Sequence, residues 1–237
     1  MLILFDIDAT LVTTSRAGIA AMGDAGREIY GPDFDEHTVE YAGRLDPLII
    51  ADLIRAHRRD QTREAVERFR AGYGLHLARR VAVPGVARAL PGVIELIHAL
   101  RRRAGDASIG LLTGNYPETG AIKLRAAGID PDWFDVQAWG CDSPHTPPSR
   151  DHLPPVAMDQ LFRRTGRRLA ADMVTIIGDT PHDVRCALAN GCRALGVATG
   201  SFTADRLAEA GAHLAEPDLS DTDRLEAWLL DRAASDF

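Results

Sequence analysis

Leu2-Ile3-Leu4-Phe5-Asp6-Ile7-Asp8-Ala9-Thr10-Leu11 is the stretch from which the rest of the chain can be read. An apolar run stops abruptly at two aspartates with one residue between them. In a strand, successive side chains point to opposite faces and residues two apart share a face. Asp6 and Asp8 therefore leave on the same side, where the strand runs out. Carboxylates that close repel and raise one another's pKa unless a cation sits between them. Mg²⁺ suits the place, because it prefers hard oxygen ligands and keeps several of its waters.

The strand-like run of Leu2–Phe5 has counterparts at Ser108–Leu112, Val136–Trp139, Val174–Ile177 and Arg193–Ala198, with a weaker one at Ala212–Leu214. Helical patterns separate most of them. Val93, Ile94, Ile97 and Leu100 recur at helical spacing, and Arg101-Arg102-Arg103 follows near the helix end, where cations suit the dipole. Further helices are expected over Thr119–Ala127, Pro155–Thr165 and Pro181–Asn190, with Gly128 and Gly191 as stops. Strands alternating with helices specify an α/β fold: a doubly wound, parallel, Rossmann-like sheet.

Residues 15–89 break the alternation and read as helices only. Ile19, Met22, Gly26 and Ile29 make one stripe; Leu48, Ile49, Leu53 and Ile54 a second; Val66, Phe69, Tyr73 and Leu77 a third. Pro84-Gly85 and Pro91-Gly92 punctuate the return. The expected organisation is an α/β core from residues 1–14 and 90–237, with an inserted all-helical cap from residues 15–89. The Pro-rich piece Ser143–Pro155 reads as a loop.

The bulk numbers agree with a folded enzyme-sized chain. Its 237 residues suffice for a core domain with a smaller insert, and 46% hydrophobic with 26% charged residues is ordinary for globular proteins. A formal charge of −7 argues against nucleic-acid binding, which leaves a basic footprint. Cys141, Cys186 and Cys192 show no ligand-like pairing and suggest reduced thiols in a cytoplasmic protein. Met1 leads directly into a strand without a basic leader, and no apolar run approaches the roughly 20 residues of a membrane helix.

Three strand ends carry polar residues: Asp6/Asp8, then Thr113-Gly114-Asn115, then Gly178-Asp179-Thr180-Pro181-His182-Asp183. In open α/β sheets ligands sit beyond the carboxyl ends of the strands, so these groups can converge. A lone Asp-x-Asp is ordinarily a solvated turn, and Thr-Gly-Asn an ordinary one. In this order, each after an apolar strand, they resemble the motifs of the haloacid dehalogenase (HAD) superfamily of phosphohydrolases, in the branch with a helical cap after the first motif. Asp6-Ile7-Asp8-Ala9-Thr10 is similar to the first motif, Thr113-Gly114-Asn115 to the second, and Gly178-Asp179 through Asp183 to the fourth.

The resemblance implies a mechanism. Asp6 would attack phosphorus and become a transient aspartyl phosphate. Asp8 would protonate the leaving alcohol and then activate water. Mg²⁺ would be held by Asp6, the backbone carbonyl of Asp8, and Asp179, with Asp183 in support. Thr113 and the neighbouring backbone of Gly114 and Asn115 would hold phosphoryl oxygens. The third motif normally supplies a lysine, yet Pro148-Ser149-Arg150-Asp151-His152-Leu153-Pro154 has none. Arg150 is the candidate cation and Lys123 the alternative, although Lys123 comes too early in the family's motif order. The two cations grip phosphate differently. Ala9 stands where most relatives have glycine, which matters if its φ is positive.

Other residues invite plainer readings. Arg44, in Ala42-Gly43-Arg44-Leu45-Asp46, lies between two cap helices where capped relatives lower a substrate-contacting loop, and it is a candidate substrate contact or a solvated arginine. Arg16 reads as a solvated helix residue. His145, His152 and His182 lack zinc-ligand spacing, and Phe69, Tyr73 and Trp228 read as packing residues. The expected function is a Mg²⁺-dependent phosphatase for a small phosphorylated metabolite, as a monomer or homodimer without nucleic-acid or membrane partners. Within the superfamily, a dehalogenase has no need of Asp8, a phosphonate hydrolase would want a cap lysine that residues 15–89 lack, and a phosphomutase needs the same two aspartates. A non-catalytic phosphate-binding module would be free to lose Asp6, Asp8 or Asp179, and all are present.

Overall fold

Leu2–Phe5 forms strand β1 with every side chain buried, because apolar residues at both parities suit a strand covered on both faces. A computed structural model describes residues 1–103 and 105–231; the expected core range of 90–237 runs past the last of these. β1 pairs in parallel with β4 (Ser108–Leu112) on one side and β6 (Val174–Gly178) on the other. With β5 (Val136–Ala138), β7 (Arg193–Val197) and β8 (Leu214–Glu216) they make a six-stranded parallel sheet ordered β5-β4-β1-β6-β7-β8. The chain works outward from β1 in one direction and then returns to work outward in the other. The reversal sits at β1, and a doubly wound sheet opens its ligand crevice at such a point.

Alternation along β1 divides the core. Ile3 and Phe5 pack on one face with Val93, Ile97, Leu124 and Leu225. Leu2 and Leu4 pack on the other with Leu153, Leu161, Val184 and Leu207. The first group comes from α4 (Val93–Arg102), α5 (Pro117–Ala126) and α9 (Thr222–Leu230). The second comes from α6 (Leu153–Thr165), α7 (Pro181–Ala189) and α8 (Ala204–Glu209). The Pro-rich loop is therefore shorter than expected. Residues 150–152 form a 3₁₀ turn, and Pro154 and Pro155 sit in the first turn of α6, where a missing N–H costs nothing.

Residues 15–89 are not helical throughout. Arg88–Ala89 is a short strand, β3, antiparallel to β2 (Val12–Thr13), so the chain leaves and rejoins the core along one two-stranded ribbon. Two-residue strands are too short to show an alternating pattern. Between them lie α1 (Ala17–Tyr30), a 3₁₀ turn at Glu36–Thr38, α2 (Asp46–Ala56) and α3 (Arg63–Val81). Thr62 caps α3 by accepting a 3.1 Å bond from Ala65 N–H. Phe69, Tyr73 and Leu77 on α3 pack with Met22, Ile50 and Leu53 in an apolar cluster separate from the two on the sheet. Gly26 is part of this contact, since a Cβ there would overlap the Phe34 ring.

Candidate active site

Asp6 follows the last residue of β1, and its N–H donates to Ile177 O at 2.9 Å. Thr113 follows β4 and Asp179 follows β6, so neighbouring strands deliver them to one edge. Beyond Asp6 the chain folds tightly on itself: Ile7 O accepts from Leu11 N–H and Val12 N–H at 3.0 Å each, and Ala9 N–H donates to Val12 O at 2.8 Å. This turn gives Ala9 a φ of 55°, in the left-handed region, so the residue that replaces glycine carries strain. Thr199, beyond the end of β7, fixes the turn through a 2.5 Å bond from Oγ1 to Ala9 O. Gly200 beside it leaves room for the Asp179 carboxylate, which a Cβ there would displace.

These loops floor a cavity of about 530 Å³ whose other walls come from α1, α2, α3 and the segment before α2. Two cations enter its polar end. Lys123, from α5, is buried and places Nζ 2.6 Å from Asp8 Oδ2 and 2.6 Å from Asn115 Oδ1. Asn115 Nδ2 donates to the same Asp8 oxygen and to Thr113 Oγ1, both at 2.8 Å. Arg150 is buried as well. Its Nη2 lies 3.2 Å from Asp6 Oδ1 and 2.5 Å from Asp183 Oδ1, and donates to Leu112 O at 3.3 Å. Sequence order set Arg150 and Lys123 as alternatives; the fold brings both in, each on a different aspartate.

Asp6, Asp179 and Asp183 form a buried cluster whose carboxylate oxygens lie within 4.8 Å of one another. Burial pushes Asp6 up to about 6, against the pull of Arg150 and with the help of Asp183 and Asp8. Burial, then Asp183 and Asp6, push Asp179 up to about 8. Asp183 is set by a capping box: its Oδ2 accepts from Thr180 N–H at 3.0 Å and from Thr180 Oγ1 at 2.6 Å, at the start of α7. Its Oδ1, though close to Arg150, has no hydrogen bond. Clustered oxygen donors and repelling carboxylates together suit a hard divalent cation. The Asp8 side chain belongs instead to the Lys123–Asn115 network.

Two site features differ from the sequence reading. The Arg44 guanidinium is turned into its own neighbourhood, with Nη2 2.5 Å from Asp52 Oδ2 and Nη1 donating to Glu40 O at 3.0 Å. Its backbone also reaches the loop after β4: a Cβ on Gly114 would overlap Arg44 O. Asp46 went unnoticed in sequence. It is buried, its N–H donates to Gly114 O at 2.7 Å, and its Oδ2 accepts from Tyr116 N–H and Thr119 Oγ1 at 3.3 Å each. Burial pushes its carboxyl up to about 6, with Lys123 pulling the other way. Burial would lower the Lys123 ammonium, yet Asp8, Tyr73 and Asp46 hold it above its ordinary value. Thr199-Gly200 shared the signal used for the other loops, small polar residues just past a strand.

A family model described as haloacid dehalogenase-like hydrolase matches residues 3–188. The chain belongs to that family. A protein named "Probable phosphatase IndB" from Dickeya dadantii (strain 3937) is 26% identical over 220 residues, covering 88% of this chain and 86% of the relative. Among solved structures, a hydrolase from Pseudomonas syringae superposes with a TM-score of 0.72 at 22% identity, covering 95% of this chain and 97% of the other. CbbY from Rhodobacter sphaeroides in complex with phosphate superposes with a TM-score of 0.71 at 21% identity, covering 93% and 95%. These likenesses place the haloacid dehalogenase-like fold over nearly the whole chain. The acidic loops and both buried cations share one cavity, and no helix among the described residues is long and apolar enough to cross a membrane.

Proposed function

We propose that this hydrolase is a Mg²⁺-dependent phosphatase acting on a small phosphomonoester through an aspartyl-phosphate intermediate. The observation that carries the reading is the division of labour between Asp6 and Asp8. Asp6 sits beside Arg150 and the acidic cluster, whereas Asp8 is paired with Lys123 and Asn115. One Asp6 carboxylate oxygen attacks phosphorus while the bond to the leaving alcohol breaks, and Asp8 gives that oxygen its proton. Asp8 then takes a proton from water, whose oxygen attacks phosphorus and returns Asp6 as a carboxylate. Lys123 and Asn115 both engage Asp8 Oδ2, which orients the group and leaves Oδ1 for the proton. Thr113 Oγ1 accepts from Asn115, so its hydroxyl proton is free to donate to a phosphoryl oxygen. Asp6, Asp179, Asp183 and the Asp8 carbonyl would hold Mg²⁺, which neutralises phosphoryl charge when bound.

We read residues 15–89 as a cap domain over a core of residues 1–14 and 90–237, supported by the separate apolar cluster and the β2–β3 ribbon. Its walls, together with the relative named as a phosphatase, support a small phosphorylated metabolite as substrate. The test is phosphate release from p-nitrophenyl phosphate. Release should require Mg²⁺ and disappear in Asp6→Asn; undiminished release by Asp6→Asn would refute the mechanism.

A further inference from the structure

Four cationic side chains line the cavity: Arg16, Arg44, Lys123 and Arg150. Three are engaged. Lys123 is held by Asp8 and Asn115, Arg150 by Asp6 and Asp183, and Arg44 by Asp52. Among the described residues, Arg16 alone of the four has a guanidinium without a hydrogen-bond or ion-pair partner, and it is exposed at the cavity edge. Its placement is costly. Ser15 and Arg16 are consecutive left-handed residues, with φ of 51° and 63°, and neither is glycine. Such strain persists where the surroundings impose it and gathers at ligand sites. Ser15 Oγ donates to Val86 O at 3.3 Å, which ties this strained turn to the returning chain.

The other wall residues on that side carry no free charge: Ile19, Met22 and Ile49 are apolar, the Tyr41 hydroxyl is spent on Glu36 O at 2.6 Å, and Thr13, Thr14 and Tyr73 offer neutral hydroxyls. We propose that Arg16 binds a second anionic group of the substrate, so that the enzyme prefers phosphomonoesters that also carry a carboxylate or a second phosphate. This rests on the phosphatase reading above and narrows its substrate class. The phosphoryl group occupies the polar end beside Asp6, and the second anion meets Arg16 at the rim.

The experiment compares matched esters in Mg²⁺ buffer. 2-Phosphoglycolate is set against ethyl phosphate, and propane-1,3-diol bisphosphate against propyl phosphate, with the wild type, Arg16→Gly and Arg16→Lys. Glycine accepts the left-handed backbone, so Arg16→Gly removes the charge without adding strain. The wild type should favour at least one anionic ester over its neutral-tailed partner. Arg16→Gly should reduce that preference about tenfold, through KM rather than kcat, as expected for one charge-assisted contact at a partly solvated site. Arg16→Lys should restore part of it, and the pair that loses more identifies the anion. A wild type without either preference, or an Arg16→Gly enzyme in which both members of each pair fall alike, overturns the proposal. No release from any of the four esters would overturn the phosphatase reading, and the Arg16 inference with it.

Discussion

Ala9 shows how much one methyl group can matter at a loop that positions two carboxylates. Its φ of 55° is imposed by the bonds that Ile7 O accepts and the one that Thr199 Oγ1 donates, on either side of it, not chosen by alanine. Ala9→Gly should stabilise the protein by about 1 kcal/mol, less the entropy that glycine adds to the unfolded chain. The net is a rise in melting temperature of up to about 2 °C, readable by calorimetry; a fall would show that the turn does not strain its residue. Lys123 makes the complementary point. Motif order alone set it aside, yet α5 carries it back across the end of β1 to Asp8. Order along a chain says which loop a residue belongs to, and a long side chain on the next helix reaches beyond its loop.

At the scale of elements, what could be read depended on period and length. Five strands of the sheet were legible because each is an apolar run ended by a polar turn, and α3 because Phe69, Tyr73 and Leu77 recur every fourth residue; the weak run expected at Ala212–Leu214 shares only Leu214 with β8, whose Leu-Ala-Glu carries too little apolar surface to mark its bounds. Their ends also marked Asp6, Thr113 and Asp179. The β2–β3 ribbon was not legible, since two residues carry no period. Neither was Asp46, whose role exists only once α2 meets the loop after β4, some 70 positions away in sequence. That contact has a pH signature. Lys123, Asp8 and the Tyr116 N–H face the Asp46 carboxyl, and burial raises it from 3.8 to about 6. The folded state therefore binds the proton more tightly than the unfolded chain. Its contribution to stability is fully present below pH 4 and is lost as pH rises to about 6. Asp46→Asn should thus gain on the wild type between pH 4.5 and pH 7, by on the order of 2 kcal/mol in urea unfolding. A difference that is constant with pH would remove Asp46 as its source.

For the molecule as a whole, the acidic cluster makes stability depend on what occupies it. Three buried carboxylates within 4.8 Å repel one another, and Arg150 answers only part of that charge. A divalent ion that binds the folded chain should add about 2.7 kcal/mol at a hundredfold excess over its Kd. Thermal unfolding with and without Mg²⁺ should show that gain in the wild type and lose it in Asp179→Asn. An Asp179→Asn protein that is still stabilised equally would place the ion elsewhere.

The ribbon that joins insert and core has a mechanical corollary. Outgoing and returning strands are zipped together, with Val12 opposite Ala89 and Thr13 opposite Arg88. A single covalent thread lets a lobe swivel freely, whereas a paired one resists torsion and yields only to flexing. On the cap reading, the strip would let residues 15–89 tilt against the rest of the chain and would hinder their twisting.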